Sequence, residues 1–540
     1  MRNFFNNHLI IFILIVAAFF RIYGINFDQG HYLHPDERAI IMFTQGLQWP
    51  QNFDQFLSPQ SPLNPHFFAY GNFPLYLLKV LSPLLGTFDT EFSNYAEMYL
   101  VGRLLSAVAD LGTIIVIFLI GKKLYGKNVG LLASFLYGVA VFPIQASHFF
   151  AVDILLTFFI TLTILSLVNL SEKTSDWNTL LVGLFFGLSL VTKISSFLLI
   201  IPILYTFSFS YFTKPINVKK ITRHIFIMGS ITLFTFILLQ PYALIDFQEF
   251  KEQNILQSKM TNDAFIFPYT LQYVGKIPYL YELKNIFFWG LGPVLAIPAF
   301  AGVFYFLKKL SKKKVILLLF FLTYFITVGK FAVGWMRYML PIYPLLCMFA
   351  AVFILRIMEF FSSPYRFILY TLYFILIAIW PLSFIHIYSL PHTRVSATDW
   401  IQQNIPANST LAVEHWDDRL PLSGSERYNF VELTLYDQPD NEVKWSVLNK
   451  KISQSDYIIL ASNRLYVPLP KLSDCTRYKM CYPKTTQYYQ NLFDGSLGFR
   501  KIAEFSSNPT IPFLNIAIDD QSADEAFTVY DHPKVIIFKK

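Results

Sequence analysis

The feature that most constrains this chain is a series of about eleven apolar runs of roughly 17 to 25 residues, the length at which a helix crosses about 30 Å of hydrocarbon. They lie near residues 8–23, 98–120, 128–145, 150–170, 179–194, 196–212, 224–241, 286–307, 315–329, 339–356 and 366–385. The fifth is the weakest, because "VGLFFGLSLVTKISS" carries Lys193 and leads almost directly into the next run. Lipid offers the backbone no hydrogen bonds, so each run is expected as a helix. Charged residues make up only 14% of the chain, against about 25% in globular proteins, which fits a polytopic α-helical membrane protein.

Lysine and arginine positions orient the spans, since short cytoplasmic loops collect them. With the N-terminus and Arg2 inside, "GKKLYGK" (121–127), "SEKTSDWN" (171–178), "KPINVKKITR" (214–223), "KKLSKKK" (308–314) and "RIMEFFSSPYR" (356–366) are inside loops. The segments 24–97 and 242–285, the turn around Asp153 and everything after about residue 385 then lie outside. A cleaved signal peptide is the alternative for the first run, but no small-residue cleavage site follows "FFRIYGI". The +8 net charge punctuates apolar runs rather than forming a basic face, so it reports topology and not a nucleic-acid partner.

Domain organisation follows. Residues 1–385 read as a transmembrane domain whose first outer loop, 24–97, contains "HPDE" and stretches such as "NPHFFAYGNFPLYLLKVLSPLLG" with the character of interfacial helices. Residues 386–540 have ordinary soluble composition, with helical "TDWIQQNIP" and "VKWSVLNKKI" between strand-like "TLAVEHW", "DYIILAS" and "KVIIFKK", and are expected as a small extracytoplasmic α/β domain. In such a domain the loops after strand C-termini usually take ligands, which points to "SNRLY" from Ser462. The three cysteines show no zinc spacing: Cys347 sits in an apolar run, and Cys475 and Cys481 can close a small disulfide if the tail lies in an oxidising space.

Three acids draw attention. Asp36 and Glu37 follow Pro35, where the helix dipole favours acids in a first turn, yet a carboxylate at the membrane surface also suits a general base. Asp153 stands at the outer edge of an apolar helix, where an ionised group needs a polar cavity or a partner. His34 and His148 are candidate supporting residues. Arg103, Lys193, Lys330 and Arg337 gather on the same side; they either snorkel to headgroups or bind an anionic phosphate.

Taken in order, "HPDE", "GRLLSAVADLGTIIVIFLIGKKLYG", "FPIQASHFFAVDILLTFF", "GLSLVTKISSFLLIIP", "QPYALIDF" and "RYMLPIYP" resemble the polyprenyl-phosphate-sugar-dependent glycosyltransferases of the GT-C superfamily. The likeness is to the family 39 and aminoarabinose-transferase-like group that includes protein O-mannosyltransferases, and it covers about residues 8–385. It implies Asp36 as catalytic base supported by Glu37, Asp153 as a second acid, and Arg103, Lys193 and Arg337 along the donor's phosphate path. It also implies a polyprenyl-phosphate-linked sugar donor, a hydroxyl acceptor on protein, lipid or glycan, and the plasma membrane as the setting. Some relatives hold a divalent metal near these acids; no residue here requires one at Asp36 and Asp153. The competing classes are a transporter or flippase of a lipid-linked substrate, which predicts internal repeats and charges near mid-membrane, and a non-catalytic glycan-binding membrane protein.

Overall fold

The computed structural model describes residues 2–87, 97–211, 217–308 and 310–540. Residues 88–96 of the expected first outer loop, 212–216 at the end of the sixth run and in the following inside loop, and Lys309 of "KKLSKKK" lie outside the described residues. The chain divides into two compact units: Met1–Ile25, Pro35–Ser258 and Pro278–Pro381 form the first, and Asn26–His34, Lys259–Ile277 and Leu382–Lys540 the second.

The described part of each apolar run is mostly helical, with breaks such as those at Val139 and Ala140 and at Leu291 and Gly292. Among the described residues, six helices are long and apolar enough to cross a membrane: Met98–Tyr125, Val152–Glu172, Ile194–Tyr211, Val218–Leu239, Met336–Met358 and the one opening at Ser363. A seventh crossing exists if Lys127–Gly138 and Val141–Ser147, bent by 60° from one another, are one span. Of the other runs, the first lies in the helix Arg2–Ile22, Asp176–Thr192 and Pro293–Leu307 are shorter helices, and Lys312–Gly329 opens on three lysines. The expected first outer loop contains the apolar helix Phe73–Gly86.

The helix ends are written locally. Pro35 opens Pro35–Gly46 and places Asp36 and Glu37 in its first turn. Ser175 and Asn217 cap Asp176–Thr192 and Val218–Leu239 by accepting from the backbone N–H groups of Asn178 and Lys220. Inside the bundle, the fully buried Arg21 donates Nε to Asp110 Oδ2 at 2.6 Å and Nη1 to the Gly138 carbonyl at 2.9 Å, while the Tyr137 hydroxyl donates to Asp110 Oδ1. Charge is tolerated there because it is paired and hydrogen-bonded, and it cross-links Arg2–Ile22, Met98–Tyr125 and Lys127–Gly138.

The second unit is built on a five-stranded sheet in the order β2-β1-β3-β7-β4. Its strands are β1 (Thr410–Glu414), β2 (Asn429–Leu433), β3 (Tyr457–Leu460), β4 (Arg500–Phe505) and β7 (Val535–Lys539); β5 (Thr510–Ile511) and β6 (Ile516–Ala517) form a separate pair. β1 runs parallel to β2 and β3, and β7 antiparallel to β3 and β4. Alternation sends Ala412, Ile458, Leu460, Ile536 and Phe538 to one face, with Trp445 and Leu448 of Glu442–Gln454. Leu411, Ile459, Val535 and Ile537 go to the other, with Ala397 and Ile401 of Thr393–Asn404. Helices therefore cover both faces. Cys475 and Cys481 are disulfide-bonded with Cα atoms 5.1 Å apart, and Cys347 is a buried free thiol in the first unit.

Candidate functional site

Four parts of the first unit bring charge to one place. Asp36 comes from the first turn of Pro35–Gly46, and Asp153 from the first turn of Val152–Glu172. Lys193 follows the last residue of Asp176–Thr192, and Arg337 lies in the 3-10 turn Met336–Ile342. Lys193 Nζ donates to Asp153 Oδ1 at 2.7 Å. The Arg337 guanidinium pairs with Asp36 through Nη1 and reaches toward Asp153 Oδ2, 3.7 Å from Nε. Two carboxylates thus face two cations brought together from separate elements, Asp153 and Lys193 lying 40 residues apart.

Aromatic rings complete the surroundings. Lys193 Nζ lies 4.5 Å from the ring centre of Tyr338 and 5.8 Å from that of Tyr70, and the Arg337 guanidinium stands 5.1 Å over Trp335. Burial, and then the Asp36 charge, push the Tyr70 hydroxyl well above its ordinary value, so it stays a neutral donor facing Asp36. Tyr70 reaches Lys193 because the next residue is glycine: the Gly71 N–H donates to the Thr192 carbonyl at 3.0 Å, and a Cβ there would fall 1.8 Å from the Val191 oxygen. Tyr70, Trp335 and Tyr338 are the residues that reading the sequence missed. In a chain with 18% aromatics nothing singles them out.

Glu37 and Arg103 take a different position. Arg103 Nε and Nη2 donate to the two oxygens of Glu37 at 2.9 and 2.7 Å, and Nη1 donates to the Ile25 carbonyl at 2.8 Å. The Phe150 N–H donates to Glu37 Oε1, and both side chains are fully buried. Arg103, expected on a phosphate path, and Glu37, expected to support the base, are bound to one another. The reason is chemical: a guanidinium in a low-dielectric interior needs a fork-shaped anion, and Glu37 supplies it.

The remaining expected residues make other contacts. Lys330 follows Lys312–Gly329 and is exposed. His148 is buried, with its two ring nitrogens against the carbonyls of Ile144 and Tyr23. His34 belongs to the second unit, where its ring lies 4.3 Å from that of Tyr530. In that unit the Ser462 hydroxyl donates to Asp417 Oδ2, and Arg464 pairs with Glu525 at 2.7 Å.

A divalent metal at Asp36 and Asp153 does not fit these residues. Arg337 engages both carboxylates and Lys193 one of them, so oxygens that would face a dication already face side-chain cations.

Residues 96–241 match the family model described as dolichyl-phosphate-mannose-protein mannosyltransferase. That interval contains Arg103, His148, Asp153 and Lys193, while Asp36, Glu37, Lys330 and Arg337 lie outside it. No curated protein matches the chain. Among solved structures, the archaeal oligosaccharyltransferase AglB from Archaeoglobus fulgidus, in complex with an inhibitory peptide and a dolichol-phosphate, aligns with a TM-score of 0.54 at 11% identity, over 96% of this chain and 75% of that one. An Archaeoglobus fulgidus oligosaccharyltransferase tethered to an acceptor peptide aligns with a TM-score of 0.51 at 12% identity, over 99% and 88% of the two chains. The chain shares the fold of these oligosaccharyltransferases along nearly its whole length, and the mannosyltransferase match lies inside it.

Proposed function

We propose that this protein is a membrane glycosyltransferase that moves a sugar from a polyprenyl-phosphate carrier to an acceptor hydroxyl, inverting the anomeric carbon. The observation that carries the proposal is the meeting of Asp36 and Asp153 with Lys193 and Arg337. A carboxylate can take a proton, and two cations can take a phosphate. The mannosyltransferase match and the dolichol-phosphate bound to the archaeal oligosaccharyltransferase support a lipid-linked donor.

In this reading Lys193 and Arg337 hold the donor phosphate. Its arrival draws Arg337 away from Asp36 and leaves that carboxylate ready to accept a proton. Asp36 takes the proton of the acceptor hydroxyl as the acceptor oxygen bonds to the anomeric carbon. The bond from that carbon to the phosphate oxygen breaks on the opposite face, and the electron pair leaves with the polyprenyl phosphate. Lys193 and Arg337 stabilise the charge that grows there, while Asp153 holds the two cations in register. Glu37 and Arg103 act as an internal strut beneath Asp36. The proposed setting is the plasma membrane, with the N-terminus cytoplasmic and residues 386–540 as an extracytoplasmic domain.

One observation leans toward a transporter: the 60° break between Lys127–Gly138 and Val141–Ser147. Val139 and Ala140 occupy that break, and neither offers an ion or substrate a charged ligand. The deciding experiment is transfer from a radiolabelled polyprenyl-phosphate sugar in proteoliposomes. The wild type should transfer label, and Asp36→Asn should lose about 10² to 10⁴ of the rate. Full activity in Asp36→Asn removes Asp36 from the role, and label that crosses the bilayer without transfer returns the transporter.

A further inference from the structure

Away from the Asp36 cluster, the first unit brings one nitrogen and two carboxylate donors together from distant segments. His66 Nδ1 lies 2.6 Å from Glu249 Oε2 and 3.6 Å from Asp246 Oδ2, and one ligand atom from each of the three falls within 4.8 Å of the others. Among the described residues this is the one group of three His, Cys, Asp or Glu side chains so arranged. We propose that His66, Asp246 and Glu249 form a zinc site that clamps the 59–70 segment to residues 246–253.

The donor set is the first argument. One imidazole nitrogen with two carboxylate oxygens suits a borderline cation such as zinc, whereas calcium and magnesium prefer oxygen alone. A fourth position is open to water, since His66 is 48% exposed and Glu249 33%.

The support behind the donors is the second. Metal ligands are normally oriented by hydrogen bonds from an outer layer, and here two amide side chains supply it. Asn64 Nδ2 donates to Asp246 Oδ2 at 2.9 Å and to the Pro59 carbonyl at 2.8 Å, while Asn64 Oδ1 accepts the His66 N–H. Gln253 Nε2 donates to Glu249 Oε1 at 3.0 Å and to the His66 carbonyl, while Gln253 Oε1 accepts the Phe68 N–H. Glu249 is thereby held at Oε1 and turns Oε2 to the imidazole.

The clamp also has a place in the fold. The 59–70 segment ends on Tyr70 and is followed by Gly71, and these lie against Lys193 and Val191. Fixing His66 therefore fixes the approach to the Asp36 cluster from a distance of four residues along the chain.

The test uses the full chain, stripped with chelator and reconstituted in nanodiscs, with zinc chloride as the probe. After desalting, elemental analysis should find about one zinc per chain, and zinc should raise the thermal midpoint by about 2–5 °C where calcium and magnesium do not. His66→Ala and the gentler Glu249→Gln should each lose both effects, whereas Asp36→Asn should keep them. Absence of retained zinc in the wild type, equal retention in both clamp variants, or loss in Asp36→Asn instead overturns the site. Because zinc is read by content and stability, inactive protein that still binds zinc through His66 separates this inference from the proposed transferase activity.

Discussion

Arg103 and Glu37 hold one another through two parallel hydrogen bonds, 2.9 and 2.7 Å long, with neither side chain exposed. The adjacent acid, Asp36, instead pairs with Arg337 at a partly exposed position. Two neighbouring carboxylates of one helical turn therefore carry different burdens, and mutation separates them.

Removing one member of a buried ion pair leaves the other charged and unpartnered, a cost of about 3–5 kcal/mol. Arg103→Ala and Glu37→Ala should each lower the thermal midpoint and the yield of folded protein. Asp36→Asn should leave both near wild type while lowering transfer by about 10² to 10⁴. The comparison needs thermal unfolding in detergent beside the transfer assay; an inactive but fully stable Glu37→Ala would return Glu37 to the chemistry.

Charge at position 337 is not the whole of its contribution. Arg337 reaches Asp36 and Asp153 together and lies over Trp335, a geometry that a flexible ammonium does not reproduce. Arg337→Met should lower kcat by about 10² to 10³, the range for losing one donor aimed at developing charge, and Arg337→Lys should recover only part of it. Steady-state kinetics against donor concentration checks this, and full recovery by lysine would contradict it.

How far the sequence disclosed this arrangement differs by element. The apolar runs were legible because helices must satisfy their backbone internally in lipid, and helical backbone covers most of the described part of each, with breaks such as those at Val139 and Ala140 and at Leu291 and Gly292. Lysines at 312–314 and the short lengths of Asp176–Thr192 and Pro293–Leu307 kept those helices from meeting the length and apolarity of a full crossing. Asp36, Asp153, Lys193 and Arg337 stood out as charges in apolar surroundings. The partner of Arg103 was hidden, since Glu37 lies 66 residues away and no periodicity links them. Tyr70 was hidden for another reason: its position depends on Gly71 passing the end of a helix whose place the local pattern does not encode.

Tyr70 offers a test that a purely structural ring would not meet. Its hydroxyl faces Asp36 and stays protonated, so it donates to the carboxylate and favours the charged form. Tyr70→Phe removes that donor and should raise the Asp36 pKa, moving the acid limb of the pH–rate profile upward while Tm changes little. The expected loss at neutral pH is about tenfold, one hydrogen bond to a charged group. A lower rate with an unmoved acid limb would assign Tyr70 to packing alone.

The second unit makes the last prediction through two buried groups whose folded pKa values both rise. Burial lifts the Glu414 carboxyl from 4.5 to about 8, with the Tyr489 hydroxyl donating to Oε1 at 2.5 Å. For His532, burial opposes the charged ring, but Asp531 and Asp520 outweigh it and raise the imidazole from 6.5 to about 10. His532 Nε2 lies 2.7 Å from Asp520 Oδ2, Nδ1 bonds Asp531, and the Tyr388 hydroxyl holds Asp531 Oδ2 at 2.8 Å. In both cases the folded state keeps a proton that the unfolded state releases earlier, so stability falls as pH rises. The Glu414 part is fully present below 4.5 and lost as pH rises through about 8; the His532 part is fully present below 6.5 and lost through about 10. Amide exchange at Ile536 and Ile537 of β7 in the intact protein, corrected for intrinsic rate, should therefore show protection declining from pH 6 to pH 10. Glu414→Gln cannot ionise and should flatten the decline below pH 8, whereas Asp520→Asn should weaken the His532 part and bring its loss to lower pH. Protection that grows between pH 6 and pH 9 would contradict the assignment of both protons to the folded unit.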